Sequence, residues 1–222
     1  MEIGIFIVII VTASIQSLFG VGVLLFGTPL LLLLGYPFLE TLLILLPISA
    51  SINLLQVLKD YREIDLDIYK SILLLTIPFI VVFLFLVSEN DINVNFFIGF
   101  FLIFIAIKEY LPLFKIWFDK VLNFNKIFYI TMGVIHGMTN LGGALLTAKI
   151  FHTNLNKYEK RATLAISYMT FALFQIATIV FLDGEYVKRN EKYLLAFDSL
   201  ATITYERGVI TLIGDEMWRV QQ

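Results

Sequence analysis

The sequence contains no cysteine and only two histidines, His136 and His152. It can therefore form no disulfide framework, no thiolate metal site and no cysteine nucleophile, and two histidines are too few for a His-based metal centre. Neither metal catalysis nor a resident cofactor is expected. Charge is scarce as well: charged residues make up 15% of 222 residues and the net charge is -2, which gives no electrostatic reason for a nucleic-acid partner. No aspartate falls within any of the long uncharged stretches, so a Ser/His/Asp set would lack its orienting acid and an enzyme is not expected. The first apolar stretch is preceded only by Met1 and Glu2. Without a basic n-region or an Ala-x-Ala cleavage site it reads as structure rather than as a removable signal peptide.

What remains is apolar. Hydrophobic residues are 59% of the chain and the mean hydropathy is +0.88, well above a soluble domain of this size. The apolar residues occur in uncharged blocks at 3–39, 41–58, 71–88, 92–107, 127–148 and 162–182. A hydrocarbon core of about 30 Å takes about 20 helical residues to cross, so these blocks are of spanning length. Backbone groups in lipid must be satisfied within the segment, and no ten-residue alternation suggests a barrel. The expected fold class is an all-α polytopic membrane protein.

The first block would be about 55 Å long as one helix, nearly twice the membrane thickness. It must turn back, and the expected turn is the run 17–22, Ser-Leu-Phe-Gly-Val-Gly, where paired glycines permit angles a continuous helix excludes. The second leg carries Gly27-Thr28-Pro29 and ends at Gly35-Tyr36-Pro37. The block 127–148 is interrupted in the same way by 136–143, His-Gly-Met-Thr-Asn-Leu-Gly-Gly. Three simple spans, near 41–58, 71–88 and 95–111, separate the two broken hairpins, and one more, near 162–182, follows the second.

Loops that keep lysine and arginine stay cytoplasmic. One side receives Lys59, Arg62 and Lys70, then Lys108, Lys115, Lys120 and Lys126, then Lys149, Lys157, Lys160 and Arg161; the other receives none before residue 183. The N-terminus is thus predicted outside and the basic loops inside, in the inner (plasma) membrane. An odd number of intervening spans inverts the second hairpin relative to the first. An inverted pair of Gly-interrupted segments is the best sequence-level pointer to a transporter binding site. Shifting the sequence by 120 residues brings Gln16 onto His136, Gly20 onto Asn140, Gly22 onto Gly142 and Leu25 onto Leu145.

The run 16–35, from Gln16 through Gly20-Val-Gly22 and Gly27-Thr-Pro29 to Gly35, resembles the first repeat of the sulfite exporter TauE/SafE family. The run 133–143, Gly-Val-Ile-His-Gly-Met-Thr-Asn-Leu-Gly-Gly, is similar to its second-repeat counterpart. With the arrangement of spans, the resemblance covers roughly residues 1–182. It implies a gradient-driven permease or exporter of small sulfur-containing anions such as sulfite or organosulfonates. Two departures stand out. The first turn has Val23 after Gly20-x-Gly22 rather than a longer glycine cluster, and the tail has no uncharged run of spanning length where the family continues with further spans. The expected organisation is a first repeat at 1–111, a partial second repeat at 112–182 and an atypical non-spanning tail at 183–222. Within that tail, 202–213 reads as a short hairpin. The alternative is a non-transporting membrane scaffold or a truncated, inactive transporter.

Gly20, Gly22, Gly142 and Gly143 could open broken helices so that backbone N–H groups meet an anion; close helix packing through small residues is the other reading. His136, Thr139 and Asn140 lie mid-block, where polar groups usually face a bundle interior or cavity. The histidine could carry a proton or simply bridge helices. Gln16, Thr28, Ser49, Ser51, Asn53 and Gln56 form a similar polar set, with Ser49 and Asn53 on one helical face. The candidate substrate-binding residues are therefore Gln16, Gly20, Gly22, Thr28, Asn53, His136, Thr139, Asn140, Gly142 and Gly143. Lys149 reads as a snorkelling side chain before a substrate ligand, and Tyr110 and Trp117 as interfacial anchors. The expected partners are a small anionic substrate and the lipid bilayer; assembly into a homo-oligomer is left open.

Overall fold

In the computed structural model, residues 3–19, 22–90, 92–110 and 125–182 are described. Trp117 and the 202–213 hairpin expectation lie outside them. Among the described residues the regular structure is helical throughout. The helices are α1 (Ile3–Phe19), α2 (Val23–Leu33), α3 (Phe38–Asp60), α4 (Leu66–Leu75), α5 (Ile77–Glu89), α6 (Val94–Tyr110), α7 (Asn125–Thr139), α8 (Gly143–Phe151) and α9 (Lys157–Leu182), with a 3-10 turn at Tyr61–Glu63.

Both expected hairpins form. α1 stops at Phe19 and α2 starts at Val23. A Cβ built on Gly4 would lie 3.4 Å from Leu34 Cδ1, so the start of α1 sits beside the end of α2. α2 has 11 residues, about 16 Å at 1.5 Å per residue and too short to cross alone. The second hairpin breaks between Thr139 and Gly143. There the Lys149 ammonium, near the end of α8, lies 5.7 Å from the Phe128 ring at the start of α7.

The chain leaves α2 through a left-handed glycine. Gly35 has φ 88, Tyr36 N donates to Leu31 O at 3.1 Å and Gly35 N to Leu32 O at 3.0 Å. That pair of bonds satisfies helix-end carbonyls, and Pro37 then prevents the helix from continuing. α3 follows, buried at every position from Thr41 to Ser49, as expected of a helix apolar all round at the centre of a bundle. α9 packs along α3, and its run Arg161–Ala165 is likewise buried at every position. A Cβ on Gly27 would lie 2.9 Å from Leu45 Cδ2, which places α2 hard against α3.

Two helices start earlier than their uncharged blocks suggest. α4 opens at Leu66 because the Asp65 carboxylate accepts from Ile68 N at 2.8 Å. α9 opens at Lys157 because Asn156 Oδ1 accepts from Tyr158 N and Glu159 N while Glu159 Oε2 accepts from Asn156 N at 2.7 Å, a reciprocal cap. The span expected at 71–88 is two helices, α4 and α5, broken at Thr76. Pro78 falls in the first turn of α5, where a missing N–H costs nothing. Thr76 Oγ1 instead donates to Tyr129 O on α7 at 3.0 Å.

Burial is inverted relative to a water-soluble protein. Leu33, Leu74, Phe96, Phe100 and Phe181 are exposed, whereas Thr12, Gln16, Thr28, Ser49, Asn53, His136 and Gln175 are buried. An apolar exterior, with polar side chains set inside an apolar core, suits lipid as the surrounding solvent. Three helical stretches, Phe38–Glu63, Leu66–Glu89 taken through the Thr76 break, and Lys157–Leu182, are long and apolar enough to cross a membrane.

Candidate functional site

Each helix break is packed so closely that only glycine fits. A Cβ on Gly22 would lie 2.5 Å from Gln16 N and 2.8 Å from Thr12 O; one on Gly142 would lie 2.5 Å from His136 Cβ and 2.7 Å from Met132 O. In both hairpins the glycine thus rests on the residue six positions before it and on the carbonyl ten positions before it. Gly143 is confined from the other side by the Tyr168 ring, whose hydroxyl donates to Gly143 O at 2.6 Å and meets Thr147 Oγ1 at 3.0 Å.

The first break is satisfied from within. Gln16 Oε1 accepts from Val23 N, the first amide of α2, at 3.0 Å, and its Nε2 donates to Ser49 Oγ on α3 at 3.3 Å. Asn53 continues this chain, donating from Nδ2 to Ser49 O at 2.8 Å and to Ser49 Oγ at 3.2 Å. Gln16 and Asn53 are therefore joined through Ser49. Gly20 lies outside the described residues.

The second break is less completely satisfied. Thr139 Oγ1 donates to Ile135 O at 2.6 Å and accepts from Leu141 N at 3.1 Å, and Asn140 reverses the chain with φ 62, a left-handed conformation that asparagine tolerates better than most residues. No side chain caps the amides at Gly142, where α8 begins. His136 is fully buried, with Nε2 3.2 Å from Gln175 Oε1 on α9 and the Phe171 ring 4.7 Å away. Among the described residues its Nδ1 has no partner, and neither do Gln175 Nε2, Asn140 Oδ1 or Asn53 Oδ1.

The second break meets the middle of α2. Asn140 Nδ2 donates to Thr28 Oγ1 on α2 at 2.9 Å, and both residues are buried. Residues 112 positions apart thus bring the hairpins into direct polar contact. Each break also exposes a helix N-terminus, where amides lack intrahelical partners and the dipole favours negative charge. The buried start of α8, with the Asn140 amide and the Thr28 hydroxyl beside it, suits a small oxyanion. Among the described residues no group of His, Asp or Glu could hold a metal ion.

Of the ten candidates, Thr28 and Asn140 touch directly, Gln16 and Asn53 connect through Ser49, and Gly22, Gly142 and Gly143 let the chain close at the breaks. Lys149 is buried beside Phe128 rather than directed to a break. Gln175 and Tyr168 were not among the candidates, although both lie inside the last apolar block, where the reasoning applied to His136 also applies.

The sequence matches the family model described as "Sulfite exporter TauE/SafE" over residues 5–205. The chain belongs to the sulfite exporter TauE/SafE family. No curated protein and no solved structure matches it. Both breaks lie within the matched range, which runs past residue 182 into the tail. Family membership makes the chain a membrane transport protein, in keeping with its apolar helices.

Proposed function

We propose that this TauE/SafE-family protein carries a small sulfur-containing oxyanion, sulfite or an organosulfonate, down or against its gradient at the point where the second helix break meets α2. The observation that carries the reading is the buried Asn140–Thr28 hydrogen bond. The bond brings the Asn140 amide of the second break and the Thr28 hydroxyl, five residues beyond the start of α2, to one buried place, where an anion would replace a direct contact by bonds to both hairpins.

The pairing of the breaks supports a pseudo-symmetric inverted arrangement. Gly22 and Gly142 have corresponding neighbours, six and ten residues upstream, at the 120-residue offset read from the sequence. The distribution of lysine and arginine supports an inner-membrane, multi-pass topology with the N-terminus outside and the loops near Arg62, Lys120 and Lys157 in the cytoplasm.

Transport of labelled sulfite by the full-length chain in proteoliposomes tests the function. Saturable flux, competed by organosulfonates and absent from protein-free vesicles, is the expected result. No flux of sulfite or of any sulfonate would leave a membrane scaffold as the better account.

A further inference from the structure

We infer that the two breaks are chemically unequal, and that His136 takes up a proton at Nδ1 together with the anion while Gln16, its counterpart, only holds structure. The inference rests on the anion-transport reading above.

Gln16 and His136 occupy the same place, six residues before the glycine that closes each break. Both functional atoms of Gln16 are engaged, one by Val23 N and one by Ser49 Oγ. In the second break the corresponding residue is a fully buried imidazole with one nitrogen facing Gln175 Oε1 and the other facing no polar group. A buried polar atom without a partner is costly. Here three lie together in contact or sequence around an uncapped helix start: His136 Nδ1, Gln175 Nε2 and Asn140 Oδ1. At the first break the Gln16 side chain is committed on both of its polar atoms, whereas His136 at the second is committed on one.

The tautomer decides what the free nitrogen can do. Gln175 Oε1 can only accept, so His136 Nε2 carries the hydrogen and Nδ1 carries a lone pair. A lone pair repels an oxyanion. Addition of one proton from solvent turns Nδ1 into a donor and the ring into an imidazolium, whose charge the arriving anion compensates in a site that is unfavourable for either ion alone. One proton then enters with each anion and leaves when the anion leaves, with no bond made or broken other than N–H.

The other ionisable groups around the ring do not compete for this role. Tyr168 on α9, across Phe171, has its hydroxyl committed to Gly143 O and Thr147. Ile80 O and Phe83 of α5 face α7 at Gly137, one residue from His136, and the only charged residue of α5 is Glu89, at its far end. On α4 the charged residues are Asp67 and Lys70, in the first half of the helix. On α8 the only one is Lys149, over Phe128.

The chain has only two histidines, so nitrogen-15 NMR of the histidine-labelled, full-length protein in lipid reads His136 directly, with His152→Gln assigning the exposed ring. Without sulfite the His136 signals should be those of a neutral Nε2–H tautomer, and saturating sulfite at neutral pH should convert them to an imidazolium. In proteoliposomes, labelled sulfite should move with a stoichiometric proton flux. His136→Gln, which copies the first break, should lower sulfite flux at least tenfold and abolish the coupled proton movement. Saturable sulfite flux with a His136 ring that stays neutral would overturn this inference and leave the transport reading standing. Proton-coupled flux surviving in His136→Gln would do the same. Absence of sulfite flux from the wild type would instead overturn the parent reading.

Discussion

Asn140 combines two demands at one position. Its backbone is left-handed, with φ 62, and its side chain makes the bond to Thr28 that joins the hairpins. The two demands separate by substitution. Asn140→Gly keeps the conformation and loses the side chain, whereas Asn140→Ala loses the side chain and adds about 1–2 kcal/mol of left-handed strain. Both should weaken sulfite binding by up to about tenfold, the equivalent of about 0.5–1.5 kcal/mol of hydrogen bonding, and the alanine variant should lower thermal stability in detergent further than the glycine variant. Equal stability of the two would show that the φ of Asn140 is not a constraint. Gly142→Leu is expected to be harsher, because the added atoms would meet His136 and the Met132 carbonyl. It should abolish transport in a chain that still inserts, and normal flux would mean that the break is packing alone. The residue types at the breaks were legible in the sequence, since polar groups in mid-membrane are expensive and therefore informative. The pairing of Thr28 with Asn140 was not, because no local spacing relates residues 112 positions apart.

The hairpins depend on what holds their supporting helices together. α3 and α9 are the central pair, and they are clamped at one end by Arg161 and Asp60, 3.9 Å apart with side chains 7% and 14% exposed. Near the same end Asp65 N donates to Thr163 Oγ1 at 2.9 Å. Removing the Asp60 carboxylate takes one counter-charge from the buried Arg161, which destabilises the folded chain. Asp60→Asn should therefore lower the unfolding temperature in detergent by several degrees, and Asp60→Asn with Arg161→Gln should recover part of the loss. An unchanged melting temperature for the single variant would mean that the clamp contributes nothing. At this scale the uncharged blocks located the helices well and their ends poorly. Helices α4 and α9 extend beyond their blocks because Asp65 and the Asn156–Glu159 pair cap them, and caps are charged or polar, so a search for uncharged runs steps over them. The Thr76 break was hidden inside an apolar run in which Pro78 was the sole signal. What fixes it is the bond from Thr76 to Tyr129 O and the close approach of Gly133, whose Cβ would lie 2.5 Å from Thr76 O, and both are tertiary.

The whole molecule is legible as a membrane protein because its apolar residues outnumber what a soluble core could bury, and the family match over residues 5–205 agrees. Orientation follows from the one-sided distribution of lysine and arginine. In a chain without cysteine, single cysteines introduced at Arg62, Lys120 or Lys157 give clean reporters. An impermeant thiol reagent should leave all three unlabelled in intact cells and label them after permeabilisation. Labelling from outside would remove the inverted-repeat account. The same absence of cysteine allows the claim that the site lies between the second break and α2 to be tested on the function itself. Thr28→Cys with Asn140→Cys places two thiols where a 2.9 Å hydrogen bond now joins the hairpins, within reach of a short bifunctional methanethiosulfonate, whose disulfide links a reductant cleaves. Labelled-sulfite flux through this double variant, measured before cross-linking, after it and after reduction, should be present, lost and restored. Undiminished flux through the fully cross-linked protein would show that the anion does not pass between the second break and α2.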